Sequence, residues 1–337
     1  MPFVAELPPE EALLFQRAAA WRDDETITSL SLARVAEIAH VQGNDFATVL
    51  LYERLERLHA AANETVLASL NDAAPQGAPL AVIVPGAFHR ERMDTGADGQ
   101  RLKSMLDALG YRSSILPTHS FGALRENAQI LLDCLAKSRE EILLVALSKG
   151  ASEIKVALET PGAATVFSRV RGCITLSGLW NGSPYVNWMM RHKLRLLGIR
   201  LYFAFRGYRL SAMREIEWGR GTPLDFDPAL PSGFRLVHLV GFPLGKHLTT
   251  PMAKRAYARL LNLGPSDGGG ILLGDAARFP GTVIPVWGAD HYLRPSWDMA
   301  SLIGGVLRLA LSTDKSAAAS AHVTRPSSPR NFASSTS

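Results

Sequence analysis

A serine at the end of an apolar run is the first candidate for chemistry in this chain. Ser148 lies in the segment Ala146–Gly150, with the sequence Ala-Leu-Ser-Lys-Gly, where the apolar run Ile142–Leu147 ends. A small-x-Ser-x-Gly turn of this kind holds a serine hydroxyl at the tip of a strand, where a base can reach it. Because a serine hydroxyl is a poor nucleophile at its ordinary pKa, the chemistry also needs a base, an orienting carboxylate and donors for an oxyanion.

The candidate base is a histidine in a late loop. His291 follows the apolar run Thr282–Val286, the last predicted strand. In a parallel sheet the loops that follow the strands meet at one edge, so the imidazole is expected near Ser148. The sequence therefore predicts that His291 accepts the proton of Ser148.

The carboxylate that would orient His291 has three candidates. Asp267, in the loop Gly264–Gly270 between the last two predicted strands, lies where this acid is expected. Asp275 and Asp290 are the alternatives. Asp290 ranks last, because the side chains of consecutive residues generally diverge. We predict Asp267 and leave the other two open.

Backbone N–H groups for the oxyanion are expected on two loops. A glycine-containing loop follows the apolar run Leu80–Val84, and it offers the N–H of Ala87 or of Phe88. The N–H of Lys149 lies directly after the serine, whereas the lysine side chain is expected to be solvated. Together these groups would face the negative charge that develops on a carbonyl oxygen.

Short apolar runs and amphipathic helical patterns alternate from Leu80 onward, and these elements must position the site. The predicted strands are Leu80–Val84, Tyr111–Leu116, Ile142–Leu147, Cys173–Leu176, Phe234–Val240 and Thr282–Val286. Helical patterns lie near 97–109, 122–137, 149–159 and 295–311. This alternation is typical of βαβ units, so we predict an α/β fold with a doubly wound, mostly parallel sheet covered on both faces.

The alternation of strand and helix patterns spans residues 79–311, and other regions of the chain show different patterns. Residues 1–74 carry helical periodicity and predict a helical N-terminal extension. The alternation breaks at about residues 179–232, which predicts an insertion over the sheet. Residues 312–337 are dominated by Ser, Ala, Thr and Pro, a composition that predicts disorder.

The insertion concentrates positive charge among large apolar residues. Residues 188–220 contain eight lysines and arginines but two glutamates, so their net charge of +6 exceeds the +5 of the whole chain. This pattern predicts an amphipathic helical lid. We favour a basic cap packed over the sheet, and the alternative is a surface for weak association with anionic amphiphiles or a membrane surface.

Composition narrows the class of protein. The 337 residues are 47% hydrophobic, enough to bury a substantial core, and the small, unevenly spread net charge does not indicate a nucleic-acid partner.

Cys134 and Cys173 lie in apolar stretches and predict free thiols in a reducing compartment. With no secretory signal pattern at the N-terminus, we predict a cytoplasmic protein. The sequence shows no metal-ligand spacing and predicts no metal or organic cofactor, and it leaves the oligomeric state open.

Four motifs together resemble the α/β-hydrolase superfamily over about residues 79–311. They are the loop Pro85–Phe88, the turn Ala146–Gly150, the loop Ser266–Gly268 and the segment Gly288–His291. The resemblance implies a Ser–Asp–His triad, a lid over the carboxyl edge of the sheet, and hydrolysis through an acyl-enzyme. Ala146 departs from the usual glycine and adds one methyl group where strand and helix approach closely, so the turn is more crowded but feasible. Residues 1–74 resemble no family.

The leading hypothesis is a serine hydrolase that cleaves a carboxylic ester or thioester. An apolar acyl part is favoured because the predicted lid is apolar and aromatic. One alternative is a non-catalytic binding or scaffold protein with the same fold, and another is an acyltransferase that uses the same triad. The fold by itself does not imply a substrate.

Overall fold

The carboxyl-terminal three quarters of the chain are built around a parallel β-sheet. The computed structural model describes residues 7–21, 26–27, 29–70, 72–294 and 298–312. Its strands are β1 (Leu80–Val84), β2 (Ser113–Ile115), β3 (Ile142–Leu147), β4 (Val170–Leu176), β5 (Arg235–Phe242) and β6 (Thr282–Trp287). They lie in the order β2-β1-β3-β4-β5-β6, and every neighbouring pair is parallel. The predicted doubly wound parallel sheet is confirmed.

Helices precede, connect and follow these strands. Their bounds are α1 (Pro9–Ala19), α2 (Leu32–Gln42), α3 (Asn44–Leu58), α4 (Ala60–Ala68), α5 (Gln100–Ala108), α6 (Leu124–Lys137), α7 (Lys149–Glu159), α8 (Ala163–Val166), α9 (Pro184–Arg191), α10 (Lys193–Arg206), α11 (Leu210–Arg214), α12 (Pro251–Leu260), α13 (Leu273–Ala276) and α14 (Met299–Leu311). In the part of the chain that the structure describes, every helix is too short or too polar to cross a bilayer.

Strand β3 shows how the sheet is buried on both faces. Its alternate residues Ile142, Leu144 and Ala146 belong to the core shared with α2, α3, α6 and α7. Leu143 and Val145 belong to the second core, shared with α4, α5 and α14. A strand covered on both faces needs apolar residues at every position, which explains the unbroken apolar run that ends at the serine.

The N-terminal helices pack against the β5–β6 side of the sheet. The ring of Phe15 in α1 lies 4.8 Å from the ring of Trp287 at the end of β6. Tyr52 in α3 is completely buried and contacts both Trp287 and Phe242 of β5, at 5.3 and 5.7 Å between ring centroids. Glu11 accepts a hydrogen bond from the Trp287 indole N–H at 2.7 Å. These helices therefore share the core of the sheet.

Some predicted boundaries differ from the structure. The edge strand β2 is shorter than the apolar run 111–116, because it pairs on one side only, with β1. Helix α14 begins at Met299, while the predicted start at residue 295 lies outside the described residues, as does the tail 313–337. In the insertion, α9 and α10 are separate helices that meet at His192.

Helix α12 was not predicted, although its start carries a local signal. The Thr250 hydroxyl accepts a hydrogen bond from the Ala253 N–H at 3.2 Å, and Pro251 occupies the first helical position. Threonine caps and first-turn prolines are both typical of helix starts.

Candidate active site

Ser148 occupies a tight turn between β3 and α7. Its φ of 45° and ψ of −111° lie in a region that non-glycine residues rarely adopt, at a cost of about 1–3 kcal/mol. Two backbone hydrogen bonds hold this conformation: the Ser148 N–H donates to Leu176 O at 3.0 Å, and Ser148 O accepts from the Leu179 N–H at 2.9 Å. Both partners lie at the end of β4 and just beyond it, so the neighbouring strand fixes the serine at the carboxyl edge of the sheet.

The small residues around the serine have different roles. A Cβ atom on Gly150 would lie 2.5 Å from Val84 O and 2.9 Å from Pro85 O, so only glycine lets α7 start this close to β1. Ala146, where the resemblance implies a glycine, is completely buried and stays in register with Val84 of β1 and Thr175 of β4. The extra methyl group is accommodated without breaking the strand.

His291 lies between the serine hydroxyl and a carboxylate. Its Nε2 is 3.0 Å from Ser148 Oγ, and its Nδ1 is 2.5 Å from Asp267 Oδ2. Since a carboxylate only accepts hydrogen bonds, Nδ1 carries the proton and Nε2 is left to accept from the serine hydroxyl. The structure thus brings together the three residues that the sequence placed in three separate loops.

The surroundings of Asp267 keep its carboxylate ionised. Asp267 is completely buried, and its Oδ1 accepts hydrogen bonds from the N–H groups of Gly269, Gly270 and Ile271, each at 2.9 Å. Burial alone would raise the pKa of Asp267, but the contact with His291 and these backbone donors lower it.

The same pair of residues makes the imidazole more basic. Burial alone would lower the pKa of His291, but the charge of Asp267 and the hydrogen bond to it outweigh burial and raise that pKa. A more basic imidazole is a better acceptor for the proton of Ser148.

The two alternative acids lie elsewhere. Asp275, in α13, accepts a hydrogen bond from the Trp218 indole N–H at 3.3 Å. Asp290 accepts backbone N–H bonds from residues 292 and 294 of its own loop, at 2.9 and 3.0 Å. Neither carboxylate accepts a hydrogen bond from His291 among the contacts of the described residues.

Gly269 is a residue of the site that sequence analysis missed. A Cβ atom at this position would lie 2.0 Å from Cγ of His291, so any other residue would displace the ring. The signal was the run of three glycines, 268–270, directly after Asp267. Two requirements explain this run. The backbone N–H groups of the loop must turn toward the Asp267 carboxylate, and residue 269 must lack a Cβ atom that would clash with the imidazole.

The candidate oxyanion donors are not equivalent. The Phe88 N–H already donates to Ser120 O at 3.0 Å, and Phe88 has a φ of 56°. The N–H groups of Ala87 and Lys149 donate to no acceptor among the described residues. A Cβ atom on Gly86 would lie 3.5 Å from Cβ of Ser148, so this loop runs beside the serine. The Phe88 N–H is therefore engaged with Ser120, whereas the N–H groups of Ala87 and Lys149 donate to no described acceptor, and all three residues remain predicted members of the site.

The side chain of Lys149 is buried, contrary to the expectation that it would be solvated. Its Nζ forms an ion pair with Glu153, one turn later in α7, and both side chains are at most 2% exposed. Glu153 also accepts a hydrogen bond from Asn127 in α6 at 2.7 Å. This pair connects α7 to α6 directly behind the turn that carries the serine.

A cavity of about 470 Å³ opens over Ser148 and His291. Its wall is largely apolar and includes aromatic residues of the sheet loops together with residues of α9–α11. The methionines in the wall are Met105, Met189, Met213, Met252 and Met299. A volume of this size fits a small organic molecule, and the hydroxyl of Ser148 lies on its wall.

Comparison with known proteins relates the chain to solved structures. No family model and no curated protein matches the sequence. The metagenomic carboxyl esterase MGS0156 is 22% identical with a TM-score of 0.51, and the match covers 71% of this chain and 77% of that one. Bacillus licheniformis lipase BlEst2 in its mature form is 19% identical with a TM-score of 0.49, over 70% of this chain and 90% of that one. At such identities the likeness is one of fold.

Proposed function

We propose, from the α/β-hydrolase fold that this chain shares with these structures, that it is a serine hydrolase for carboxylic esters or thioesters with an apolar acyl part. One observation carries the proposal: Ser148 Oγ, the His291 ring and the Asp267 carboxylate form one continuous hydrogen-bonded chain, with distances of 3.0 and 2.5 Å. The chain begins at the wall of a largely apolar cavity.

In the first half of the proposed reaction, Ser148 Oγ attacks the carbonyl carbon while His291 Nε2 accepts the hydroxyl proton. Asp267 stabilises the imidazolium that forms and holds its Nδ1 proton. The N–H groups of Ala87 and Lys149 donate to the developing oxyanion, and each such donor typically lowers the barrier by about 2.7–4 kcal/mol. The tetrahedral intermediate collapses when His291 returns the proton to the leaving oxygen or sulfur, which leaves the acyl group on the serine.

In the second half, water replaces the alcohol or thiol. His291 Nε2 accepts a proton from this water as its oxygen attacks the acyl carbon, and the same donors hold the second oxyanion. Collapse of this intermediate returns the proton to Ser148 Oγ and releases the carboxylic acid. At the end of the cycle, Ser148, His291 and Asp267 have each returned to their starting protonation state.

The wall of the cavity supports an apolar acyl part. Five of the eight methionines in the chain line it. Methionine is unbranched and flexible, so a wall of this kind adapts to apolar chains of different shape. This favours an ester of an aliphatic acid over a polar amide.

The geometry also bears on the binding-module alternative. A module without catalysis would leave the imidazole free to turn away from the serine, whereas the 3.0 Å separation between Ser148 Oγ and His291 Nε2 is within the range for proton transfer. Acyl transfer uses the same first step, so product analysis with added alcohols or amines separates it from hydrolysis.

The proposal includes a cytoplasmic location. Cys134 and Cys173 carry free thiols, which a reducing compartment preserves. Burial raises the pKa of both thiols, so neither is activated as a nucleophile.

The first test is labelling with a fluorophosphonate, which reacts with activated serines. We expect the protein to be labelled, and Ser148→Ala and His291→Ala to lose labelling. Ser183→Ala is the matched control, because Ser183 also lines the cavity. A folded wild-type protein that stays unlabelled, or label that survives in Ser148→Ala, would refute the proposal. A series of aryl esters of increasing acyl length then measures the preference for apolar chains.

A further inference from the structure

Helix α10 presents an unusual concentration of apolar side chains to solvent. Five of the ten large hydrophobic residues that are exposed among the described residues lie on this helix, and Phe205 and Leu194 are 85% and 74% exposed. The set is Leu194, Leu197, Leu201, Tyr202 and Phe205. Single exposed apolar residues are ordinary on a protein surface, but a contiguous group marks an interaction site.

Four of these residues form one stripe along the helix. At about 100° per residue, Leu194, Leu197, Leu201 and Phe205 fall within roughly 80° of one another and span about 16 Å. Gly198 lies beside the stripe, where a Cβ atom would meet nothing within 4 Å. The stripe is therefore open to solvent along its length.

The opposite side of α10 is anchored to the protein. Phe203 is buried, and its ring lies 5.0 Å from that of Phe121 and 5.8 Å from that of Tyr208. Because the inner side supplies this packing, the outer stripe is not needed to hold the helix in place.

Positive charges flank the stripe on both sides. Helix α10 carries Lys193, Arg195, Arg200 and Arg206 and no acidic residue. By the helical geometry, Lys193 and Arg200 lie roughly 80–100° from the middle of the stripe on one side, and Arg195 and Arg206 roughly 120–140° from it on the other. None of the four forms an ion pair with a described carboxylate. An apolar centre between two cationic margins is the pattern of a helix that lies in a membrane interface.

The catalytic cavity reaches this surface. Tyr202, on the edge of the stripe, is 40% exposed and also lines the cavity that contains Ser148. A molecule that leaves a bilayer beside α10 would therefore be next to the mouth of the site.

We propose that the outer face of α10 docks on the surface of an anionic lipid bilayer. The apolar stripe enters the boundary between headgroups and acyl chains, and the exposed cations Lys193, Arg200 and Arg206 face anionic headgroups. The guanidinium of Arg195 instead lies over the Trp188 ring, 3.4 Å from its centroid. A second copy of the chain is a poorer occupant, because two such faces would bring six exposed positive charges together. In combination with the proposed function, on which this part rests, the substrate is an ester that partitions into the bilayer.

The test measures binding of the full-length protein to sedimented vesicles at about 0.1 M salt. Vesicles of phosphatidylcholine with phosphatidylglycerol are compared with vesicles of phosphatidylcholine alone. We expect the triple variant Leu197→Gln/Leu201→Gln/Phe205→Gln to lose about tenfold or more of the affinity for the anionic vesicles. The matched control Leu13→Gln/Val41→Gln changes residues that are 58% and 67% exposed elsewhere, and it should bind as the wild type does.

A second pair of variants tests the charges. Lys193→Gln/Arg200→Gln should weaken binding to anionic vesicles severalfold and leave binding to neutral vesicles unchanged, as should raising the salt concentration. Arg125→Gln/Arg139→Gln removes two exposed arginines outside the insertion and should have no such effect.

Three results would overturn the docking proposal. The first is vesicle binding by the folded triple variant that equals wild-type binding, and the second is equal binding of the wild type to both kinds of vesicle. The third is a wild-type protein that sediments as a dimer while the triple variant sediments as a monomer. Binding is measured on Ser148→Ala as well, which separates the two proposals. A protein that binds vesicles but resists the fluorophosphonate refutes the hydrolase alone, and one that is labelled but does not bind refutes docking alone.

Discussion

Two hydroxyl–imidazole pairs lie in neighbouring parts of this sheet. In one, Ser148 Oγ is 3.0 Å from Nε2 of His291. In the other, Thr175 Oγ1 of β4 is 2.7 Å from Nδ1 of His238 of β5. By the hydroxyl contact alone the second pair is the better hydrogen bond, so this contact does not distinguish a candidate base from a structural histidine.

The group behind each imidazole makes the difference. His291 donates to the Asp267 carboxylate, whereas the second nitrogen of His238 donates to the backbone carbonyl of Pro280 at 3.0 Å. Burial lowers the pKa of His238 to about 3, and no carboxylate offsets it. For His291 the carboxylate outweighs burial and raises the pKa. A buried imidazole becomes a useful base at neutral pH only when a buried anion supports it.

Access separates the two pairs as well. Thr175 and His238 are completely buried, and the His238 ring lies 5.5 Å from the ring of Trp180 and 4.8 Å from that of Phe279. Ser148 and His291, in contrast, line the cavity. The Thr175–His238 pair connects strands inside the core, and the Ser148–His291 pair is the one that a substrate can reach.

The largest expected effect comes from removing the supporting anion. Asp267→Asn should lower kcat by about 10⁴-fold, because an asparagine amide can donate to Nδ1 and so favours the tautomer whose Nε2 cannot accept the serine proton. Asp275→Asn is the control and should change kcat far less. Steady-state kinetics on an aryl ester measures both, and an Asp267→Asn enzyme with near wild-type kcat would show that the two histidines differ for another reason.

Displacing the His291 ring while keeping the Asp267 carboxylate should cause the next largest loss of rate. Gly269→Ala places a methyl group where the ring now lies, and a displacement of about 1 Å typically costs about 10²-fold in rate. Gly245→Ala adds a Cβ atom at an ordinary contact distance of 3.6 Å from Tyr257 and should retain full activity. Full activity in a folded Gly269→Ala enzyme would contradict the role assigned to this glycine.

The pH profile should report one histidine and not the other. Since His291 must be neutral to accept a proton, kcat/KM should fall about tenfold per pH unit below the pKa of His291. Asp267→Asn removes the charge that raises this pKa, so its acidic limb should move to lower pH. His238, with a pKa of about 3, should add no limb above pH 4. A profile that stays flat down to pH 4 in the wild type would contradict the assignment of His291.

The smallest effect on activity is expected at the second pair. Thr175→Val should leave kcat within about threefold but lower the free energy of unfolding by about 1–3 kcal/mol, because His238 Nδ1 loses its buried donor. Thr165→Val, at an exposed position, should change stability by less than about 0.5 kcal/mol. Urea unfolding and ester kinetics on the same samples separate the two effects. A large loss of kcat with unchanged stability would mean that the second pair takes part in the chemistry.

Local pattern was enough to predict much of the fold. Strands β1 and β3 and helix α7 have the predicted bounds, because a strand buried on both faces must be apolar throughout and a glycine turn ends it. The edge strand β2 was predicted to be longer than it is, and helix α12 was not predicted. The local signals for both elements are weak. Strand β2 has one neighbouring strand, and the start of α12 is marked by Thr250 and Pro251.

Within the candidate site, the sequence by itself determined the serine, the turn that exposes it and the loops from which a base and an acid must come. The tertiary structure decided which aspartate meets His291, which backbone donors are free beside Ser148, and that the Lys149 side chain is buried. These depend on contacts between residues 24 and 143 positions apart, such as Asp267 with His291 and Ser148 with His291. The path of each loop sets such contacts, and that path follows from the packing of the sheet, because spacing along the chain does not specify it.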